Sequence, residues 1–183
     1  MRKLTAFNFV TLNGFYKDAD DTTAWHAHDE EGSKFAGDNM QAGNILLFGR
    51  ITYEMMAGFW PSPMAMESMP EVAKGMNGAE KIVFSKTLKK ADWKNTTIIS
   101  DMIAEVKKLK QTPGHDMTIL GSGSIISQLA DEGLLDGIKL MIDPIALGGG
   151  TPIFNGVNKQ LNLELTDTKI FKSGAVLLSY QLL

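Results

Sequence analysis

The sequence predicts an α/β protein of three layers, in which helices cover both faces of a mostly parallel central sheet. Short apolar runs alternate with segments of helical periodicity, the pattern of parallel strands joined by crossover helices. Residues 45–54 (ILLFGRITYE) and 119–129 (ILGSGSIISQL) each pass from an apolar run through glycine into a helix start. Two alternating segments flank Ser173 and Gly174, which predicts a C-terminal antiparallel hairpin at an edge of the sheet.

Residues 1–57 supply two predicted strands and two predicted helices. Residues 3–12 are rich in β-formers and end at a turn, Asn13–Gly14. Residues 29–42 carry a weak helical pattern. Residues 44–48 form a continuous apolar run, which is typical of a strand buried on both faces. A short helix is predicted over residues 52–57.

The segment at residues 58–78 contains three prolines and four methionines. A short helix around residues 66–76 is predicted there. Methionine adapts to irregular surfaces, so Trp60–Pro61 and the methionines could form a mobile apolar lid over a ligand. The same residues could equally cover the sheet.

Residues 81–182 contain six predicted strands and two predicted helices. Asp101 is a predicted N-cap and Gly133 a predicted C-terminal stop. A glycine-rich loop is predicted over residues 144–154. The strands are predicted at residues 81–84, 96–100, 117–120, 137–142, 161–172 and 175–182, and the helices at 101–110 and 124–132.

Composition limits the classes of function. The 183 residues suit a single domain spanning residues 1–183. A net charge of −3 argues against a broad nucleic-acid surface. The absence of cysteine excludes disulfides and thiolate chemistry. No apolar run is long enough to span a bilayer, and no signal peptide is recognisable, so we expect a cytoplasmic protein.

The two strand-to-helix turns predict a site for a phosphorylated ligand. At the carboxyl edge of a sheet, such turns present backbone N–H groups and the positive ends of helices. Arg50 could be a solvent-exposed arginine at a helix start, but a cation is disfavoured there and is better explained by a bound anion as its partner. Ser122 and Ser124 add hydroxyl groups. The alternative is a plain connection in which glycine relieves crowding and Ser124 caps the helix. A GxGxxG motif is absent after the first strand.

Two further clusters have ordinary explanations. His26, His28 and Asp29 could hold a metal ion, but the i, i+2 histidines would not share a helix face. We therefore expect no metal, and histidines at the surface or at the rim of a pocket. Residues 148–150 are three glycines without the Lys and Ser/Thr of a P-loop, so a flexible bend or a close backbone approach to a flat ligand is expected.

Several motifs in order carry a family resemblance over nearly the whole chain. They are TLNGF, LLFGRITYE with a following FWP, IVFSKTL, and ILGSGSIISQLADEGLLDGIKLMIDPIALGGGTPIF. Together they resemble the dihydrofolate reductase fold, in the branch formed by the RibD C-terminal reductase domain of bacterial riboflavin biosynthesis. The resemblance implies NADPH as the cofactor and a homodimer as the assembly.

The resemblance also implies roles for individual residues. The cofactor-binding residues would be Gly49, Arg50, Thr52, Ser85, Lys86, Gly121, Ser122, Gly123, Ser124 and Ile125. Catalytic or orienting candidates are Asn13, Thr151, Asp29 and Glu30, where Asn13 stands in place of an acid that is frequent in the family. Aromatic candidates for substrate contact are Phe15, Trp25, Tyr53 and Trp60, with core or rim packing as the alternative.

The resulting hypothesis is an NADPH-dependent reductase of a small heterocyclic substrate. The family implies 5-amino-6-(5-phosphoribosylamino)uracil or dihydrofolate as model substrates, with a bound water as a possible proton source. One alternative is a homodimer that binds a nucleotide or metabolite without turning it over. Another is a structural homodimer, built from the terminal strands, whose pocket is vestigial.

Overall fold

Eight strands form one sheet and two short strands form a separate ribbon. The computed structural model describes residues 1–27, 29–40 and 42–183. The strands are β1 (Leu4–Thr11), β2 (Phe15–Lys17), β3 (Ile45–Gly49), β4 (Lys81–Phe84), β5 (Thr96–Ile99), β6 (Met117–Leu120), β7 (Gly137–Asp143), β8 (Thr151–Pro152), β9 (Leu163–Ile170) and β10 (Val176–Leu182). The helices are α1 (Glu30–Met40), α2 (Arg50–Phe59), α3 (Pro63–Ser68), α4 (Pro70–Gly78), α5 (Met102–Gln111) and α6 (Gly123–Asp131).

The sheet confirms the predicted fold class. Its strand order is β5-β4-β3-β6-β1-β7-β10-β9. The first six strands in this order pair in parallel, and β10 pairs antiparallel with both β7 and β9. Gly174, with a φ of 89°, forms the tight turn of the hairpin and donates its N–H to Phe171 O at 3.0 Å. The C-terminal hairpin therefore lies at one edge, as predicted.

The core consists of layers on both faces of the sheet. Strand β3 is buried on both faces, because Ile45, Leu46, Leu47 and Phe48 are all at most 3% exposed. On one face, β1 and β6 pack against α5 and α6 through Leu4, Val10, Ile119, Val106, Ile126 and Leu129. On the other face, Leu46 and Phe48 pack with Tyr53, Val72 and Met76.

The methionine-rich segment forms two helices instead of the single one predicted. The break falls at Met69, whose φ of −140° and ψ of 61° are not helical, because the following Pro70 disfavours helical geometry in the residue before it. Helix α4 buries Val72, Ala73 and Met76 against the sheet. This half of the segment therefore covers the core and does not form a lid.

The β2–β8 ribbon was not predicted, because strands of three and two residues are too short to show a periodicity. Phe15 pairs with Pro152, and Lys17 with Thr151. Gly150 has a φ of 153°, and a Cβ there would collide with the carbonyl oxygen of Lys17. The glycine-rich loop thus approaches the backbone of β2 closely. The ribbon holds residues 15–17 beside the carboxyl edge of the sheet.

Within the residues that the structure describes, no helix combines the length and the apolar character needed to cross a membrane.

Candidate functional site

The two predicted turns lie side by side at one edge of the sheet. Strands β3 and β6 are parallel neighbours, with Ile45 opposite Met117, so the turns that follow them leave the sheet at the same edge. The backbone N–H of Gly49 donates to Ser122 Oγ at 2.9 Å. The Ser122 hydroxyl in turn donates to Thr52 Oγ1 at 2.8 Å. One serine side chain therefore joins the turn before α2 to the turn before α6.

Two glycines make this close approach possible. A Cβ on Gly49 would lie 3.1 Å from Ser122 Oγ and 3.3 Å from Ile125 Cδ1. Gly121 has a φ of 64°, and a Cβ there would lie 3.2 Å from Thr52 Cγ2. Each glycine is thus required by packing, and Gly121 also by its left-handed backbone conformation.

The start of α6 differs from the prediction. The helix begins at Gly123, and its N-cap is Ser122 in the left-handed conformation (φ 59°) rather than Ser124. A left-handed serine directs its hydroxyl towards Gly49 and Thr52 instead of the first turn of its own helix. Ser124 is exposed in that first turn.

Helices α2 and α6 leave their N-terminal N–H groups without an internal acceptor side chain. Neither has a side-chain cap or an acidic residue in its first turn. By contrast, Ser62 caps α3, Asp101 caps α5, and α1 and α4 carry glutamate in their first turns. Among the described helices, the two uncapped and acid-free N-termini are therefore the two that meet at this edge.

A cavity of about 410 Å³ lies over these two N-termini. Three cations, Lys17, Arg50 and Lys86, line it, and the described residues in its lining include no carboxylate. The positive helix ends and the cations make it a place for an anion. Nine predicted cofactor residues line it: Gly49, Arg50, Thr52, Ser85, Lys86, Ser122, Gly123, Ser124 and Ile125. Gly121, the tenth, shapes the turn without lining the cavity.

Arg50 pairs with a carboxylate within the chain, so a bound anion is not needed to explain its place at the helix start. Its Nη1 lies 2.8 Å from Glu54 Oε2, one turn along α2, and both side chains are nearly half exposed. Such exposed i, i+4 pairs contribute only about 0.3–0.5 kcal/mol. The pair therefore positions Arg50 at the cavity without competing strongly with a bound phosphate.

A second cavity of about 270 Å³ adjoins the first. Thr151, Ser127 and Asn155 line it, and it shares Tyr16 and the first turn of α6 with the larger cavity. A Cβ on Gly123 would lie 2.8 Å from the Tyr16 hydroxyl oxygen, so the tyrosine ring rests against that turn. Sequence reasoning missed Tyr16 and Lys17; the available signal was the FYK that follows the Asn13–Gly14 turn.

Three of the four catalytic candidates line neither cavity. Asn13 is exposed, accepts from Thr11 Oγ1 at 2.9 Å and donates to Leu147 O at 2.8 Å, which ties the first turn to the loop after β7. Asp29 accepts from Gly32 N at 2.5 Å at the start of α1, and Glu30 is exposed there. Thr151 lies in β8 at the second cavity. Catalytic roles for all four stay predictions.

Two of the aromatic candidates lie away from both cavities. Tyr53 is 3% exposed, and its hydroxyl accepts from Trp93 N at 3.3 Å, because its position in α2 faces the sheet. Trp60 lies at the far end of α2, about 15 Å along the helix from Arg50. Packing thus accounts for both residues, which is the alternative given for the aromatic candidates, and substrate contact stays a prediction. Phe15 lies in the ribbon opposite Pro152.

Trp25 precedes a buried histidine–carboxylate pair that the sequence did not predict. His26 Nδ1 lies 2.8 Å from Asp143 Oδ2, and the side chains are 10% and 7% exposed. The imidazole stacks on Phe9 with ring centroids 3.8 Å apart. Trp25 Nε1 is buried and has no hydrogen-bond partner among the described residues. Because Asp143 is far from His26 in sequence, spacing gave no signal.

The metal alternative involved His28, which lies outside the described residues. Within ranges 1–27, 29–40 and 42–183, no three His, Asp or Glu side chains are grouped to hold a metal ion.

Comparison with known proteins identifies a family and a set of similar structures. Residues 2–177 match the family model of the RibD C-terminal domain. The chain is 31% identical over 171 residues to the uncharacterized protein YyaP of Bacillus subtilis, covering 93% of this chain and 90% of that protein. It is 26% identical to YwjB of the same organism over 171 residues, covering 93% and 92%.

Solved structures share the fold at low sequence identity. A protein of Shewanella sp. PV-4 assigned to riboflavin biosynthesis has a TM-score of 0.76 at 18% identity, over 99% of both chains. A pyrimidine reductase-like protein of Corynebacterium diphtheriae has a TM-score of 0.67 at 12% identity, over 100% of this chain and 92% of that one. A Thermotoga maritima deaminase and 5-amino-6-(5-phosphoribosylamino)uracil reductase has a TM-score of 0.69 at 13% identity, with 57% of its length matched by 100% of this chain.

Proposed function

Because the chain belongs to the family of RibD C-terminal domains, we propose that it is an NADPH-dependent reductase of a small heterocyclic substrate. The proposal includes a homodimeric, cytoplasmic enzyme. Exposed Leu165 and Ile170 on the edge strand β9 support a second copy at that edge.

The cationic cavity over two uncapped helix N-termini carries the proposal. In a chain of net charge −3, three cations converge on a cavity whose described lining holds no carboxylate. A dinucleotide fits this donor set, since its phosphates need N–H donors and cations together. The N–H groups of α6 and Ser124 would hold the diphosphate. Arg50, Ser85 and Lys86 would hold the adenosine side and its additional phosphate.

The residues of the chain bind, orient and exclude water in this proposal. When bound, NADPH supplies a hydride to an electrophilic carbon of the substrate. The Gly49–Ser122–Thr52 link fixes the two turns relative to each other, so both ends of a dinucleotide meet a preorganised surface. Tyr16, in strand β2 of the β2–β8 ribbon, lies against the first turn of α6 and would limit access of water there.

A pyrimidine bearing a phosphoribosylamino group is the proposed substrate class. The names of the Corynebacterium and Thermotoga neighbours support a pyrimidine, and dihydrofolate is the other model substrate. The second cavity, with Ser127, Thr151 and Asn155, offers hydroxyl and amide groups suited to a polar heterocycle.

Titration with NADPH and NADP⁺, followed by nicotinamide fluorescence, tests the proposal. We expect micromolar binding in the native protein. Arg50→Ala should weaken it by about 10-fold or more, because a charge-assisted phosphate contact is lost. The matched control is Lys74→Ala, which removes an exposed cation of α4 that lines neither cavity. Equal affinity in the two variants, or no saturable binding, would overturn the proposal.

A second candidate is a binding protein that holds the nucleotide without turnover. It is favoured by Asn13, which replaces the acid frequent in the family and bonds to Thr11 and Leu147. This candidate predicts NADPH binding without NADPH oxidation across a panel of pterins, uracils and quinones. Oxidation of NADPH by any member of the panel would eliminate it.

A further inference from the structure

We infer that Tyr16 is the acid that protonates the substrate in the reductase reaction. This role rests on the proposed function and adds a catalytic residue to it. Tyr16 lies in strand β2 and was not among the candidates that the sequence supplied.

Tyr16 lies where the two cavities meet. Its side chain lines both the cavity of about 410 Å³ and the cavity of about 270 Å³, together with Gly123 and Ser124 of the first turn of α6. A Cβ built on Gly123 would lie 2.8 Å from the Tyr16 hydroxyl oxygen and 2.9 Å from Cζ. The hydroxyl end of the ring therefore points to the helix N-terminus between the two cavities.

The order of the lining residues directs the reacting ring of a dinucleotide to this junction. Along the sheet edge, the first cavity runs from Lys86, after β4, past Arg50, after β3, to the first turn of α6, after β6. With the adenosine side at Lys86 and Arg50 and the diphosphate at α6, the remaining ribose and ring would extend towards Tyr16. The second cavity continues from there to Thr151 and Asn155. Tyr16 thus lies between the proposed places of the cofactor ring and of the heterocycle.

The Tyr16 hydroxyl has its proton available for a ligand. The side chain is half-buried, and its hydroxyl makes no hydrogen bond to another residue of the described ranges. The hydroxyl of Tyr53, by contrast, accepts from Trp93 N at 3.3 Å within the core. A hydroxyl group that faces a cavity and has no partner there can donate to a substrate that enters the cavity.

Tyr16 is also the strongest acid at the junction. The described lining of the second cavity contains no carboxylate, histidine or lysine. Its other hydroxyl groups belong to Ser124, Ser127 and Thr151. Aliphatic hydroxyl groups give up a proton far less readily than a phenol, which holds its proton at neutral pH and serves as a general acid in enzymes.

Positive charge beside the ring stabilises the phenolate that remains after proton transfer. The N-terminus of α6, against which the ring lies, has neither a side-chain cap nor an acid in its first turn. The ammonium group of Lys17 lies 5.7 Å from the centre of the Tyr16 ring. Its carboxylate partner Asp21 is 3.6 Å away and 77% exposed, so solvent screens that pair. The electrostatic field at Tyr16 therefore favours loss of the proton.

The proposed step transfers one proton from the protein. The O–H bond of Tyr16 breaks, and the proton bonds to the nitrogen or oxygen of a C=N or C=O bond of the substrate. The π electrons of that bond move to the same atom as the neighbouring carbon accepts the hydride that NADPH supplies. Tyr16 is left as a phenolate and regains a proton from solvent.

Fluorine magnetic resonance of protein labelled with 3-fluorotyrosine tests where the nicotinamide lies, without relying on turnover. The chain has three tyrosines, and Tyr16→Phe assigns the resonance of Tyr16. The ligands are NADP⁺ and 2′-phospho-ADP-ribose, which is NADP⁺ with its nicotinamide removed. We expect the Tyr16 resonance to differ between the two complexes by several line widths. Tyr53 in the core and Tyr180 in β10 are internal controls, and their resonances should coincide.

The outcomes separate this inference from the proposed function. If both ligands bind and the Tyr16 resonance is the same in both complexes, the inference is wrong and the NADPH site stands. If neither ligand binds, the proposed function fails, and the inference fails with it. A difference confined to Tyr16 supports the placement. A difference shared equally by all three tyrosines would show a global change and would overturn the placement.

Turnover of the phosphoribosylamino-uracil substrate and of dihydrofolate gives the second test. Tyr16→Phe keeps the ring against Gly123 and removes only the hydroxyl group. It should lower kcat by about 100-fold or more while the Kd for NADPH stays within about twofold. The matched control Tyr180→Phe removes a hydroxyl group from β10 and should keep full kcat. Full activity of Tyr16→Phe would overturn the inference. If neither substrate is reduced, the fluorine resonances decide.

Discussion

Helices α5 and α6 pack on the same face of the sheet, yet their N-termini are satisfied differently. Asp101 caps α5 by accepting from Ala104 N at 3.0 Å, and Glu105 adds a first-turn acid. In α6 the N-cap serine turns away to join the α2 turn, and no acid is present. The N-terminus of α5 is thus satisfied by a side chain of its own segment, whereas that of α6 has no side-chain acceptor.

The same contrast extends to a helix C-terminus. Lys81 is fully buried, and its Nζ donates to the carbonyl oxygens of Met76 and Ala79 at 2.9 and 2.6 Å, at the end of α4. Its ammonium also lies 4.6 Å from the centre of the Trp93 ring. At the C-terminus of α4, away from the cavity, a buried lysine side chain thus donates to the last carbonyl groups of the helix. At the cavity, by contrast, the N-termini of α2 and α6 have no side-chain cap.

The largest expected effect concerns Lys81. Burial lowers the pKa of Lys81 from its ordinary 10.5 to about 8. Between these values the unfolded chain binds a proton that the folded protein does not, so raising the pH stabilises the fold. The full difference is about 3 kcal/mol.

Unfolding by urea at several pH values, compared with Lys81→Met, isolates this effect. We expect the native protein to gain about 1.4 kcal/mol per pH unit relative to the variant from pH 8 upwards, and no relative change below pH 7. A flat difference across pH 8–10 would show that Lys81 titrates normally in the folded state.

Placing an acid in the first turn of α6, as α5 has in its own first turn, should have the next largest effect. Ser124→Asp adds an acid to the exposed first turn of α6, which should stabilise the helix slightly and repel a bound phosphate. We expect NADPH affinity to fall roughly 30-fold, about 2 kcal/mol. The neutral control Ser124→Asn should bind within a fewfold of the native protein. Unchanged affinity in Ser124→Asp would remove α6 from the binding site.

The converse change, made at α5, should have the smallest effect. Asp101→Ala removes the cap and should cost about 1 kcal/mol of folding stability, or roughly 2–4 °C in Tm. NADPH affinity should stay within about twofold, because Asp101 does not line the cavity. Asp101→Asn retains a capping oxygen and should be nearly neutral. A large loss of NADPH affinity in Asp101→Ala would show that the two helix ends do not have separate roles.

The architecture was predictable because its signals are local. The continuous apolar run at Ile45–Gly49 required burial on both faces, and Gly49 and Gly121 marked the two turns at one edge. The β2–β8 ribbon escaped prediction because pairs this short are decided by tertiary contacts, in particular by Gly150 against Lys17. The two-helix form of the methionine segment depended on the restriction that Pro70 places on Met69.

The candidate site was predictable where it is made of turns and less so where it is made of side chains. Nine predicted residues line one cavity because backbone geometry brings turns together whatever the side chains are. For Tyr53 the sequence left substrate contact and packing both open, because an aromatic residue near a turn does not show which side of the helix it occupies; in the structure it faces the sheet. The contact between His26 and Asp143 joins residues 117 positions apart, which no local pattern encodes.

The Ser122 hydroxyl makes the two halves of the site interdependent. It accepts from the backbone of one turn and donates to a threonine of the helix that follows it. A ligand that displaces one of the turns must strain the hydrogen bonds of the Ser122 hydroxyl. Ligand binding at the α2 turn is therefore energetically linked to ligand binding at the α6 turn. Fragments carrying only one half of a dinucleotide should therefore bind with free energies that do not sum to that of the whole molecule.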